Sequence, residues 1–183
     1  MTALKLFAAQ GFDATTTKQI AREAGIAEGL IFHYFSTKAS LLTALLDNRR
    51  SFRSELRTML EGAEGRPTSE VLQEVASGWL ATARRDAELI VLFVTAQPNP
   101  EVNEAMQQVI REGGGLLAGY LKARIGAGEL REDLPLETAV TVFFSSLMTF
   151  FLTHRHLSER EWKKQGATYA TELISVWLEG ARR

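Results

Sequence analysis

The sequence predicts an all-α protein of about nine helices, and three observations carry that reading. Apolar residues recur three and four positions apart along most of the 183 residues, the spacing of one helix face. Val and Thr rarely alternate with polar residues, so no strand pattern emerges. Breaker clusters at 62–67, 98–100 and 126–128 divide the helical stretches. The length, with 45% hydrophobic and 23% charged residues, suits one or two compact domains. No run of 18 apolar residues occurs, so no membrane-crossing helix and no membrane partner are expected. The N-terminus lacks the charged-then-apolar pattern of a secretory signal. With no cysteine, disulfides and thiolate zinc sites are excluded, and a reducing cytoplasm is the expected compartment.

The first helix is expected over Thr2–Gln10, with Leu4, Phe7 and Ala8 inward and Gly11 as its stop. Thr16 then stands at an N-cap position, with Gln19 placed to return a bond to the cap's own N–H, a capping box. A helix from Thr17 to about Ala24 shows Ile20, Ala21 and Ala24 on its apolar face, and Gly25 supplies the left-handed C-cap. After Ile26 as an apolar plug, a further helix runs from Glu28 to about Phe35. Two short helices around a tight glycine-containing turn form a helix-turn-helix, whose second helix enters the DNA major groove.

A fourth helix is expected from Lys38 to about Leu60, striped by Leu41, Leu42, Leu45 and Leu46 and then Phe52, Leu56 and Met59. Arg49, Arg50, Arg53 and Arg57 give it either a solvated face or a DNA contact. Residues 62–67 form a joint, and Thr68 to about Arg84 makes a helix with Leu72, Val75, Trp79 and Leu80 inward. Asp86 is placed to cap a sixth helix, ELIVLFVTAQ, apolar on every side and therefore expected to be buried. The seventh, Glu101 to about Ile125, contains Gly113-Gly114-Gly115, which should thin or kink it. Close packing, a hinge or a ligand-facing backbone wall would each account for the glycines. The eighth helix, from Leu136, and the ninth, Glu159 to about Gly180, carry more apolar surface than one small body can cover, which predicts association. Residues 1–60 hold 8 Lys and Arg against 5 Asp and Glu, a balance of +3, while the remainder hold 13 against 17, a balance of −4. A basic end on an acidic body is the asymmetry a DNA binder shows.

Gly11-Phe12, Thr15-Thr16-Thr17, Ile20-Ala21, Ala24-Gly25-Ile26, Gly29, Phe32, Tyr34-Phe35, Lys38 and Leu41-Leu42 stand at fixed spacing. This segment resembles the N-terminal domain of tetracycline-repressor-type (TetR family) regulators. The resemblance is strong over roughly the first 45 residues; beyond them only length and helix pattern agree. It implies a helix-turn-helix DNA-binding domain over 1–46 and a helical ligand-binding and dimerisation domain over 47–183. It further implies a dimeric repressor on a palindromic operator of double-stranded DNA, released by a small effector, with no cofactor. The lack of an obvious buried charge pair points to an apolar effector. Members of the family usually begin a turn or more earlier with basic residues, so the resemblance implies either a longer N-terminal arm or its loss.

Position by position, Thr16, Thr17, Tyr34 and Lys38 match the family's phosphate contacts, and Lys18 adds a charge in the same turn. Glu28, Gly29, Leu30 and His33 match groove-facing positions, where Glu28 suits cytosine N4, Leu30 a thymine methyl and His33 a purine edge. Ile31 and Phe35 should hold the helix to its domain. Ala27 replaces the family's capping Ser, and Phe32 replaces a common Tyr. Met59, Trp79, Phe93, Met106 and Tyr120 are the candidate ligand-lining residues, with ordinary core as the alternative. Phe143, Phe144, Leu147, Phe151, Trp162, Leu173 and Trp177 are the candidate dimer-interface residues. Two rival readings stand beside this one: a helical protein-interaction module, and a small helical enzyme. No catalytic residue and no metal site can be named, since His154 and His156 diverge on a helix.

Overall fold

A computed structural model of the protein describes residues 2–47, 52–96 and 98–181, and these form ten helices and no strand. The helices gather into two compact units, residues 1–51 with 86–110 and residues 52–85 with 111–183.

The first unit holds α1 (Thr2–Gln10), α2 (Thr17–Ala24), α3 (Glu28–Tyr34), α4 (Lys38–Asp47), α7 (Ala87–Ala96) and the start of α8 (Pro100–Gly126). Phe7 and Phe12 lie at its centre with ring centroids 5.3 Å apart. Ile20, Ala21, Ile31 and Leu42 close on them, as do Leu89, Leu92 and Phe93 from α7 and Val102 from α8. Burying each large apolar side chain contributes about 1.5–3 kcal/mol. Three inward assignments change: Ala3 rather than Ala8 faces the core of α1, Ala24 is exposed, and Ile26 is 41% exposed.

The second unit is built around α6 (Thr68–Arg85), which packs on α5 (Phe52–Glu61), α9 (Leu136–His154) and α10 (Glu159–Ala181). Val71, Leu72, Val75 and Ala76 of α6 have no exposed surface. An added Cβ at Gly78 would stand 2.6 Å from Met59 Cε, so the glycine makes room for α5. Trp177 of α10 donates its indole N–H to the Ala139 carbonyl at 3.0 Å, anchoring α10 to α9.

The structure revises two expectations, on the run Gly113–Gly115 and on α9. Of the helix foreseen from Lys38 to about Leu60, α4 and α5 are described and residues 48–51, with Arg49 and Arg50, lie outside the described residues, as does Gln97. Arg53 is ion-paired with Glu112, and Arg57 is exposed. The run Gly113–Gly115 does not interrupt α8, which is helical from Pro100 to Gly126. Close packing explains only Gly114, where a Cβ would meet Val140 Cγ1 at 3.3 Å; at Gly113 and Gly115 it would meet nothing within 4 Å. Finally, α9 is long and apolar enough to cross a membrane, with mean hydropathy 1.5, although Ser and Thr interrupt its apolar run. In this fold Phe143, Leu147, Phe150 and Phe151 of α9 are buried against α6 and α10.

Since a Cβ fits freely at Gly113 and Gly115, Gly113→Ala and Gly115→Ala should each stabilise the protein by about 1 kcal/mol, the helix-propensity difference. Gly114→Ala should gain less or lose, because Val140 must shift. Urea denaturation midpoints of the three variants check the order.

Candidate nucleic-acid interface

The interface is assembled on α2 and α3. Thr16 is extended at φ −105°, ψ 151°, its Oγ1 accepting the Gln19 N–H and its own N–H donating to Gln19 Oε1, so the capping box is present. Gly25 takes the left-handed conformation at φ 69° that ends α2. Ile26 N–H then donates back to Ala21 O at 3.0 Å, and the chain turns directly into α3. Ala27 caps α3 without a side-chain bond. A Ser, Thr, Asp or Asn cap would stabilise the helix by about 1 kcal/mol.

On α3, Ile31 is buried and Phe35 half-buried, holding the helix to the core. Gly29, Leu30, His33 and Tyr34 face outward, Tyr34 being 70% exposed. The Tyr34 ring stands edge-on to His33 with centroids 4.9 Å apart. Phe32 is 51% exposed, and Lys18 is exposed on α2. Glu28 is half-buried, and Thr17 Oγ1 donates to its Oε1 at 2.6 Å. That bond links the first turns of α2 and α3. It commits the Thr17 hydrogen to Glu28, leaving the second carboxylate oxygen to accept elsewhere.

Lys38 is placed differently from a free cation. Its Nζ donates to Phe12 O at 2.8 Å and Thr15 O at 2.9 Å, lies 3.4 Å from Asp13 O, and stands 4.3 Å over the Phe12 ring. The ammonium thus fastens the turn between α1 and α2. Thr15, fully buried, secures the same turn by donating to Gly11 O at 2.7 Å. A cleft of about 450 Å³ opens beside it, lined by Asp13, Thr16, Thr17, Phe32, Thr37 and Lys38 together with Asn99 and Glu101. Asn99 and Glu101 were missed from sequence, because no local pattern announces a contact with a turn 86 residues away.

Of the ligand-lining candidates, Phe93 and Met106 pack into the core of the first unit, and Met59, Trp79 and Tyr120 belong to the second. Tyr120 is buried, and desolvation raises its pKa above the ordinary phenol value against the opposing influence of the Thr68 hydroxyl. The interface candidates differ in exposure. Phe143, Leu147 and Phe151 have no exposed surface in the single chain, and Trp162 and Trp177 are also buried. Phe144 packs edge-on to Phe52 and Phe143, and Leu173 is half-buried. Side chains closed inside one chain gain little further burial when two chains meet.

A compact helical unit with this exposed α3 is a DNA-binding protein of the helix-turn-helix class. Residues 2–45 match the family of bacterial regulatory proteins described as the tetR family. Over 131 residues the chain is 32% identical to the HTH-type transcriptional regulator YerO of Bacillus subtilis, spanning 69% of this chain and 45% of that protein. It is 29% identical over 159 residues to the HTH-type transcriptional regulator YvkB of the same organism, covering 86% and 82%. The fold resembles that of the transcriptional regulator FadR from Bacillus subtilis, solved with stearoyl-CoA, at TM-score 0.75 and 22% identity, covering 98% and 95%. The chain belongs to the TetR family of transcriptional regulators.

Lys38→Met should destabilise the fold by about 1–2 kcal/mol, since bonds from a charged donor are worth about 1.5–3 kcal/mol and these are partly exposed. Tyr34→Phe, at an exposed hydroxyl, should leave stability unchanged. Denaturant titration of both variants separates the structural lysine from the surface tyrosine.

Proposed function

We propose that this protein is a dimeric, ligand-responsive repressor that binds a palindromic operator and is released by a small apolar molecule. The observation that carries the reading is α3, tethered by Ile31 and Phe35 while Gly29, Leu30 and His33 stand outward at the spacing of a groove-reading face. Thr16, Lys18 and Tyr34 take phosphates, and Thr17 does so through its backbone N–H at the start of α2, its hydroxyl hydrogen being held by Glu28; Lys38 contributes its charge through the turn it holds, and Glu28 offers an acceptor to the groove. DNA binding is assigned to 1–46, and ligand binding and dimerisation to 47–183, with α7 supplying part of the DNA-binding core.

Dimerisation through the last two helices is supported by their outward faces. On α9 the exposed positions from Thr138 to Thr153 carry no charge and include Val142 at 49% and Leu152 at 40% exposure; on α10, Val176 is 70% exposed. These replace the buried aromatic residues as the surface offered to a second copy. An effector with an apolar acyl chain is supported by the stearoyl-CoA in the similar FadR. Within the second unit, the buried Tyr120 hydroxyl is the polar handle such a ligand would meet. The ligand acts by binding two arrangements of the dimer unequally. The protein works on DNA in the cytoplasm, and it is a regulator rather than an enzyme, as its relatives are.

Selection from a random duplex pool should recover an inverted repeat, bound with affinity that falls steeply as salt rises. His33→Ala should then relax base preference at one position of each half-site. Recovery of no repeat by folded protein would favour the protein-interaction reading. Val142→Arg with Val176→Arg should shift the protein from dimer to monomer in sedimentation while leaving helicity intact; an unchanged sedimentation coefficient would remove this face from the interface.

A further inference from the structure

Asn99, at the corner between α7 and α8, makes contacts in two directions. Its Oδ1 accepts the N–H groups of Glu101 at 3.1 Å and Val102 at 3.4 Å, capping α8. Its Nδ2 donates to Asp13 Oδ1 at 3.3 Å, and Asp13 lies in the turn that leads into α2. The same turn is gripped by Lys38 through the carbonyls of Phe12 and Thr15. One side-chain amide therefore fastens the approach to α2 onto an element far away in sequence. Its neutrality matters, because Asp13 and Glu101 already put two carboxylates along this cleft.

We propose that Asn99 is a positioning residue for DNA binding: its amide ties the α1–α2 turn to the first turn of α8 and so fixes the N-terminus of α2, with Thr16 and Thr17, where a phosphate meets it. The proposal rests on the DNA-binding reading given above. It makes the grip on DNA depend on α8, a helix outside the helix-turn-helix, through one named pair.

Asn99→Asp isolates that pair. Asp caps a helix as well as Asn does, so the α8 cap is kept, but the donor facing Asp13 becomes a like charge. Binding to the selected duplex should weaken by about tenfold, as expected for two carboxylates at hydrogen-bond distance. Adding Asp13→Asn restores a donor and acceptor in the opposite sense and the original net charge, and should return affinity to within about twofold of the unsubstituted chain. Circular dichroism at the assay temperature restricts the comparison to folded protein. If the unsubstituted chain binds the duplex and N99D binds it equally, or folded N99D is not rescued by D13N, the proposal is overturned while the DNA-binding reading stands. If the unsubstituted chain binds no duplex, the DNA-binding reading fails and the proposal with it. Should N99D not fold, the cycle of Asn99→Ala and Asp13→Ala decides: a double variant no weaker than either single supports the tie, and additive losses overturn it.

Discussion

The N-terminal helices depend on borrowed apolar surface. With 9, 8 and 7 residues, α1, α2 and α3 are each too short to be stable in isolation. Phe7 and Phe12 need a covering that these helices alone do not provide, and Leu89, Leu92 and Phe93 of α7 supply it. The outward residues of α3 are therefore held by a core whose parts lie some eighty residues apart in the chain. Capping boxes and glycine stops shape the local path, but burial against α7 makes that path persist.

Polar contacts around the α1–α2 turn refine this arrangement. A turn whose carbonyls point inward requires donors, since an unpaired buried carbonyl is costly. Lys38 supplies them with one flexible ammonium, and Thr15 closes the turn from within. A lysine that sequence comparison would assign to phosphate therefore spends its hydrogens on the backbone. Its charge still contributes to the local field, which a groove-binding surface uses at long range. The Thr17–Glu28 bond similarly turns two side chains assigned to DNA into a brace between α2 and α3.

In the second unit, aromatic packing and a few directional bonds divide the work. Phe143, Phe150 and Phe151 of α9 meet Trp162 and Trp177 of α10, and Trp177 satisfies its N–H on the α9 backbone. Such packing consumes the apolar content that the sequence seemed to hold in reserve for association. What remains outside on α9, from Thr138 to Thr153, is a surface of Thr, Ser and scattered Val and Leu, small enough for close helix approach and without charge to desolvate.

Sequence alone determined the all-α class, the bounds of α1 to α3, the capping box at Thr16 and the left-handed Gly25, because each follows from contacts within about four residues. It also placed Leu30, His33 and Tyr34 on one helix, and their exposure agrees with the period of that helix. Only the tertiary structure decided that Lys38 bonds carbonyls, that Asn99 reaches Asp13, and that the aromatic residues of α9 and α10 are interior. Periodicity shows that a face is apolar but not which surface covers it, and a side chain's partner across many residues leaves no mark in local spacing. The continuous α8 makes the same point from the other side: three glycines argue against a helix locally, yet the turns on either side keep it intact.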